Sequence, residues 1–211
     1  MNIHKEIQNA STPDEKAAAI ETMLWEYGRS PEGLIYCFLM ADELRRPTIN
    51  DVLTTAPDPQ KLDPRDLAYN DETLAVRYTD GKPQYLLQGI PVEDVEAYED
   101  SMLGTGQLLS GLYYRYLATL DPLTLQRAGE AFEAMYGVYE LGCSDQPGWL
   151  PKPYGYQCTK QTSTDNQSPY CIGMLRYFRI APPKHRSMIT RVLTDTMDYW
   201  IRNCYRSHHL Y

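Results

Sequence analysis

The sequence predicts a mainly α-helical fold assembled from stacked helical hairpins, with one small β-hairpin set ahead of them. Leu108, Leu109, Leu112, Tyr113, Tyr116 and Leu117 recur at three- and four-residue steps, the spacing that gathers apolar groups on one side of a 3.6-residue helix. Directly after Asp121-Pro122 the pattern starts again with Leu125, Ala128, Phe132, Met135, Val138 and Tyr139, leaving Arg127, Glu130 and Glu133 off that face. A proline has no amide donor and disfavours helix in the residue before it, so the two helices are joined by a short break and lie antiparallel. A shift of 61 places then sets Arg115-Tyr116 on Arg176-Tyr177 and the Asp121-Pro122 break on Pro182-Pro183. A fixed offset that carries helix, break and helix together predicts a repeated hairpin whose copies bury their faces by stacking.

Each element follows from local signals. Residues 13–27 read as the first helix, with Thr12 as cap, Pro13 in the first turn, early acids and Gly28 as the stop. Residues 31–45 read as a second, because Leu34, Ile35, Phe38, Leu39 and Leu44 form a broad apolar stripe. Proline, aspartate and threonine dominate residues 47–64, which predicts a surface loop with room for a short helical turn over 48–53. Between 74 and 88, Leu74, Val76 and Tyr78 alternate before Asp80-Gly81, and Tyr85 and Leu87 after it, the mark of a β-hairpin. The main hairpins are expected at 104–119 with 122–141, the latter capped by the glycine of Leu141-Gly142, and at 169–180 with 184–203. Residues 1–95 and 96–211 are expected to form two regions of one continuous domain.

The order Tyr98-Glu99-Asp100-Ser101, Thr105-Gly106, an apolar helix ending in Arg115-Tyr116, and a Thr119-Leu120-Asp121-Pro122 break resembles a hairpin of the (α/α) toroid proteins. Residues Gly148-Trp149-Leu150-Pro151-Lys152-Pro153-Tyr154-Gly155, followed by the segment from Ser163 to Tyr170, fit the same layout. That superfamily includes six-hairpin glycosidases, unsaturated uronyl hydrolases and toroid polysaccharide lyases. The resemblance covers residues 96 to about 205 and implies inner and outer helices alternating around a cleft. A ring of six hairpins at ~60 residues each needs about 360 residues. The chain is therefore expected to complete itself as a homo-oligomer or as part of a longer polypeptide, its last apolar face being a site of association.

Charge and composition narrow the partners. The formal net charge is −8, which repels phosphate backbones, and no Lys/Arg run offers a basic patch, so nucleic acid is excluded as an expected ligand. Eighteen tyrosines against three phenylalanines supply amphipathic rings that suit sugar-binding walls and helix packing alike. Cys37, Cys143, Cys158, Cys171 and Cys204 form no Cys-x-x-Cys pair and are expected as free, mostly buried thiols. Neither a signal-like apolar stretch nor a run of ~18 apolar residues occurs, which gives an expectation of a cytoplasmic chain without a membrane partner. His208-His209 lack a patterned carboxylate partner, and His4 and His185 stand alone, so neither metal nor cofactor is called for. No phosphate loop, esterase elbow or zinc-protease helix is present.

The candidate chemistry lies at helix starts. Asp100 and Asp165 each precede or open an inner helix, where amide dipoles favour negative charge. Charge complementation explains both, and so does a catalytic pair. In the uronyl hydrolases that the segment resembles, an aspartate so placed donates the first proton, which implies Asp165 as general acid and Asp100 as its ionised companion. The acid role requires that burial among Trp149, Tyr154 and Tyr170 raise the pKa of Asp165. Arg115 and Arg176 have the chemistry to clamp a carboxylated sugar, or to make interhelix ion pairs. Two function classes follow: a carbohydrate-active toroid enzyme, hydrolase or lyase, and a non-catalytic helical-repeat module that binds a sugar or a protein partner.

Overall fold

The computed structural model describes residues 3–41, 43–48, 51, 74–79, 82–87 and 90–205. The chain is mainly helical: α1 Ile3–Asn9, α2 Pro13–Glu26, α3 Val92–Tyr98, α4 Ser101–Thr119, α5 Pro122–Cys143, α6 Thr164–Phe178 and α7 Pro183–Arg202. A small antiparallel sheet, β1 Leu74–Thr79, β2 Lys82–Leu87 and β3 Ile90–Pro91, precedes the main helices. The expected hairpin is there, with Val76 opposite Tyr85 and Thr79 opposite Lys82. Its Asp80-Gly81 turn, most of the 47–64 loop and His208-His209 lie outside the described residues.

α2 starts as its sequence dictates. The Thr12 hydroxyl accepts from the Glu15 amide at 3.2 Å and the Glu15 carboxylate accepts from the Thr12 amide at 3.1 Å, a reciprocal capping box. At the other break Leu120 turns into the left-handed region and Asp121 caps α5, accepting from the Leu123 and Thr124 amides at 3.1 Å each. Proline at the first position of α5 gives up no bond there.

Among the described residues of 31–45 the predicted helix is absent. Ser30 and Gly33 close a turn, with Gly33 at φ +94°, and the amides beyond it point at other elements. Ile35 donates to the Thr105 hydroxyl at 2.9 Å and Cys37 to the Ala97 carbonyl at 2.8 Å. Leu34 and Ile35 are buried as expected of a stripe, but Leu34 exchanges its backbone bonds with Ser30, and Ile35 and Cys37 bond α4 and α3, instead of a helical ladder. Two further boundaries differ. Gly142 does not cap α5 but lies inside it, buried, where a β-carbon would overlap the Trp149 carbonyl. Likewise α6 begins at Thr164 and carries Pro169 within it. Through that first turn buried Asn166 accepts from the Leu103 amide of α4 and Gln167 from the Trp200 indole of α7, and these bonds outweigh the amide that Pro169 lacks.

α4 and α6 run parallel in close contact. Asn166 bonds the Leu103 amide, Gly173 lies on the Gly106 carbonyl, and Arg176 lies over the Tyr114 ring. Paired residues thus advance together along both helices. α5 and α7 flank them, with Glu133 near His185 and Tyr139 bonding Asp195. Leu109, Leu112, Phe132, Met135, Tyr170 and Met174 form the centre of the core, which also takes in Leu34, Ile90, Ala97 and Tyr98. Leu117, expected on the buried face, is 51% exposed.

Candidate functional site

Two places on this frame merit attention: the joined N-terminal ends of α4 and α6, and the side of α4 that faces α2. Because α4 and α6 are parallel, their starts meet, and Asn166 is the link. Its side-chain amide donates to Asp100 Oδ1 at 2.9 Å and to the Ser163 hydroxyl at 3.1 Å, while its oxygen accepts from the Leu103 amide. One orphan amide of α4 is thus satisfied from a neighbouring helix. Asp100 also receives the Cys37 thiol at 3.8 Å, and burial, with Asp100 and Glu99 beside it, pushes that thiol up to about 11. Beside it Glu99 accepts from the buried Lys152 ammonium and the Tyr154 hydroxyl.

This cluster answers the sequence-predicted roles one by one. Asp165 is exposed, and the bond from Ser163 holds its carboxyl below the usual aspartate range against a smaller effect of burial. It is ionised at neutral pH, the opposite of what a proton donor requires. Asp100 is tied to Asn166 and Cys37. Trp149, Tyr154 and Tyr170 are core residues that do not wall a cleft, each at most 3% exposed. The Trp149 indole donates to the Thr159 carbonyl at 3.0 Å, and the Tyr170 hydroxyl to the Met135 carbonyl at 2.7 Å. Arg115 pairs with Glu21 and Arg176 stacks on Tyr114, so the two arginines serve helix packing. His185, which stands alone in sequence, meets Tyr177 and Glu133. Among the described residues no group of His, Cys, Asp or Glu is arranged to hold a metal ion, and no helix is long and apolar enough to cross a membrane.

Sequence reasoning missed Glu96, Glu99, Lys152 and Asn166. Glu96 is exposed, yet partial desolvation and then the charge of Glu99 raise its carboxyl above the ordinary glutamate range. The acidic run Glu93-Asp94, Glu96, Glu99-Asp100 was the available signal; its partner Lys152 is distant in sequence.

The second place is a groove of about 880 Å³ between α2 and α4. Gly104, Leu108, Gly111 and Leu112 form its floor, and Ala17, Ile20, Glu21 and Leu24 its far wall. The glycines are the reason it is deep: a β-carbon on Gly111 would meet nothing within 4 Å. Glu21 reaches across to Arg115 of α4 and Arg127 of α5. Arg29 and Arg127 both lie over the Trp25 ring, at 3.9 and 5.1 Å from its centroid. These contacts fasten α2 beside α4 without filling the space between them. α2 runs antiparallel to α4: Glu21 pairs with Arg115, whereas Gly28, just past the end of α2, accepts from the Tyr36 amide beside Ile35, which bonds Thr105. Asp14 therefore sits by Ala118 and Thr119 at the far end.

No family model, curated protein or solved structure matches this chain.

Proposed function

We propose that the chain is a non-catalytic helical module that binds protein, and that the α2–α4 groove takes one amphipathic helix with a basic rim. The observation that carries this reading is the groove itself. Its floor spans Gly104 to Thr119, about 24 Å at the helical rise, which is the length of a four-turn helix. An apolar floor with few polar groups favours an apolar stripe. The exposed Asp14 at one end and the net charge of −8 favour cations around that stripe.

A synthetic 16-residue helix with one leucine stripe and lysines elsewhere tests it by fluorescence anisotropy, against a scrambled peptide of the same composition. The ordered peptide is expected to bind, and Gly111→Trp, which fills the groove, to weaken it by about tenfold or more. Equal binding of the scrambled peptide, or no effect of Gly111→Trp, overturns the reading.

A second reading, a carbohydrate-active toroid hydrolase or lyase, has one observation in its favour. The parallel helices carry Asp100 and Asp165 to one end, and the exposed Glu96, four residues before Asp100, has a carboxyl raised by partial desolvation and Glu99. In this reading Glu96, and not Asp165, is the proton donor. A glycan array with a product assay separates the two: cleavage that falls ~10²-fold in Glu96→Gln supports the enzyme, and the absence of both binding and cleavage removes it.

A further inference from the structure

We infer that the helix entering the groove is α6 of a second copy of this chain, and that two copies pair face to face about a two-fold axis parallel to α4. The inference rests on the protein-binding reading above and names its partner.

α6 presents a stripe that fits. Ile172 and Leu175, 44% and 55% exposed, stand one turn apart on its outer side, and Arg176 and Arg179 rim its C-terminal end. α6 has 15 residues, about 22 Å, close to the length of the groove floor. Tyr114 and Leu117 of α4, each about half exposed, continue this apolar surface from the stripe to the groove. A contiguous apolar face of this kind is rare on a protein that remains alone.

The positions of groove and stripe, together with the charge at their ends, select the axis. Asp14 lies at the C-terminal end of α4 on the α2 side. Arg176 lies over Tyr114, so Arg179 one turn later stands near the same level on the α6 side. A two-fold across the helices would set α2 on α2 and α6 on α6, with neither stripe opposite a groove. A two-fold along α4 exchanges the sides and keeps the level, so Asp14 of one copy meets Arg179 of the other. Each stripe then enters the other copy's groove, an isologous contact that closes on itself.

Analytical ultracentrifugation of the full chain across a range of concentrations tests this. The wild type is expected to dimerise. Leu175→Glu spoils the stripe and Gly111→Trp the groove; each is expected to weaken the dimer by about tenfold or more, with unchanged far-ultraviolet circular dichroism. An equimolar mixture of the two variants regains dimer, because one stripe and one groove remain intact in the heterodimer. Asp14→Arg weakens the dimer and Arg179→Asp in the same chain restores it. Dimers that persist in both single variants, or a charge exchange without rescue, overturn the inference. A monomeric wild type that still binds the leucine–lysine helix overturns the dimer alone; a monomer that binds neither overturns the protein-binding reading as well.

Discussion

Gly106 and Gly173 face each other where α4 crosses α6: a β-carbon on Gly173 would lie 2.6 Å from the Gly106 carbonyl oxygen. One on Gly106 would lie 2.8 Å from the Tyr170 amide nitrogen. Neither neighbour is the end of a flexible side chain, so the helices themselves must separate. Alanine in a helix gains about 1 kcal/mol over glycine, yet Gly106→Ala and Gly173→Ala are expected to lose about 2 kcal/mol net by overpacking. Gly111→Ala keeps the propensity gain because nothing opposes it, and should raise Tm by about 2–4 °C. Thermal unfolding in the Leu175→Glu background, chosen to weaken the proposed dimer, reads all three; equal signs at the three glycines would count against this packing.

Glu21 holds α2 to α4 and α5 through Arg115 and Arg127. The carboxylate side chain is 8% exposed while Arg115 is a third exposed, so solvent screens part of the interaction. Glu21→Ala should cost about 1–2 kcal/mol, less than a fully buried pair. Hydrogen exchange checks where the loss falls: amides of residues 16–26 should exchange faster while those of α6 do not change.

His185 sets an acid sensitivity. Its Nδ1 lies 2.9 Å from the Tyr177 hydroxyl, its Nε2 3.6 Å from Glu133, and its ring stacks on Phe132 at 4.6 Å. Burial lowers its pKa; Glu133 opposes that and Lys184 adds to it. The unfolded imidazole gains its proton near pH 6.5, whereas the folded one resists until lower pH. Stability from this group is full above pH 6.5 and declines as the solution is acidified through the folded value. Urea unfolding of wild type and His185→Gln at pH 7.5 and 5 should show a smaller loss on acidification in the variant. An identical loss would assign the sensitivity elsewhere.

Tyr170 is wholly buried with its hydroxyl on the Met135 carbonyl. Tyr170→Phe removes this added bond, while the carbonyl keeps its helical partner within α5, and should cost about 0.5–1.5 kcal/mol. Leu112→Ala, a truncation at a 2% exposed position, should cost ~2–5 kcal/mol. Glu130→Ala, at a partly exposed pair with Arg29, should stay within about 1 kcal/mol. Chemical denaturation orders the three, and comparable losses at Leu112 and Glu130 would refute the facing of α4 and α5.

The sequence by itself determined what depends on near neighbours. The capping box of Thr12 and Glu15, the Asp121-Pro122 break, the periodicity of α5 and the alternation around Asp80-Gly81 are all short-range, and each element stands where its residues put it. Tertiary structure decided the rest. Residues 31–45 carry a helical stripe, but Ile35 and Cys37 find better acceptors on Thr105 and Ala97, groups that no local pattern reveals. Gly142 reads as a cap and serves instead as the opening through which Trp149 reaches α5. Pro169 reads as a helix start and is overridden by the bonds of Asn166 and Gln167. For the candidate site the gap is wider. Helix starts were legible, and so were Asp100 and Asp165, but a carboxylate's pKa depends on what folding places around it. Folding placed Ser163 and solvent beside Asp165 and buried the aromatic residues elsewhere. The groove was illegible for the same reason: it is a space between α2 and α4, set by the reach of Glu21 to two arginines more than ninety residues away.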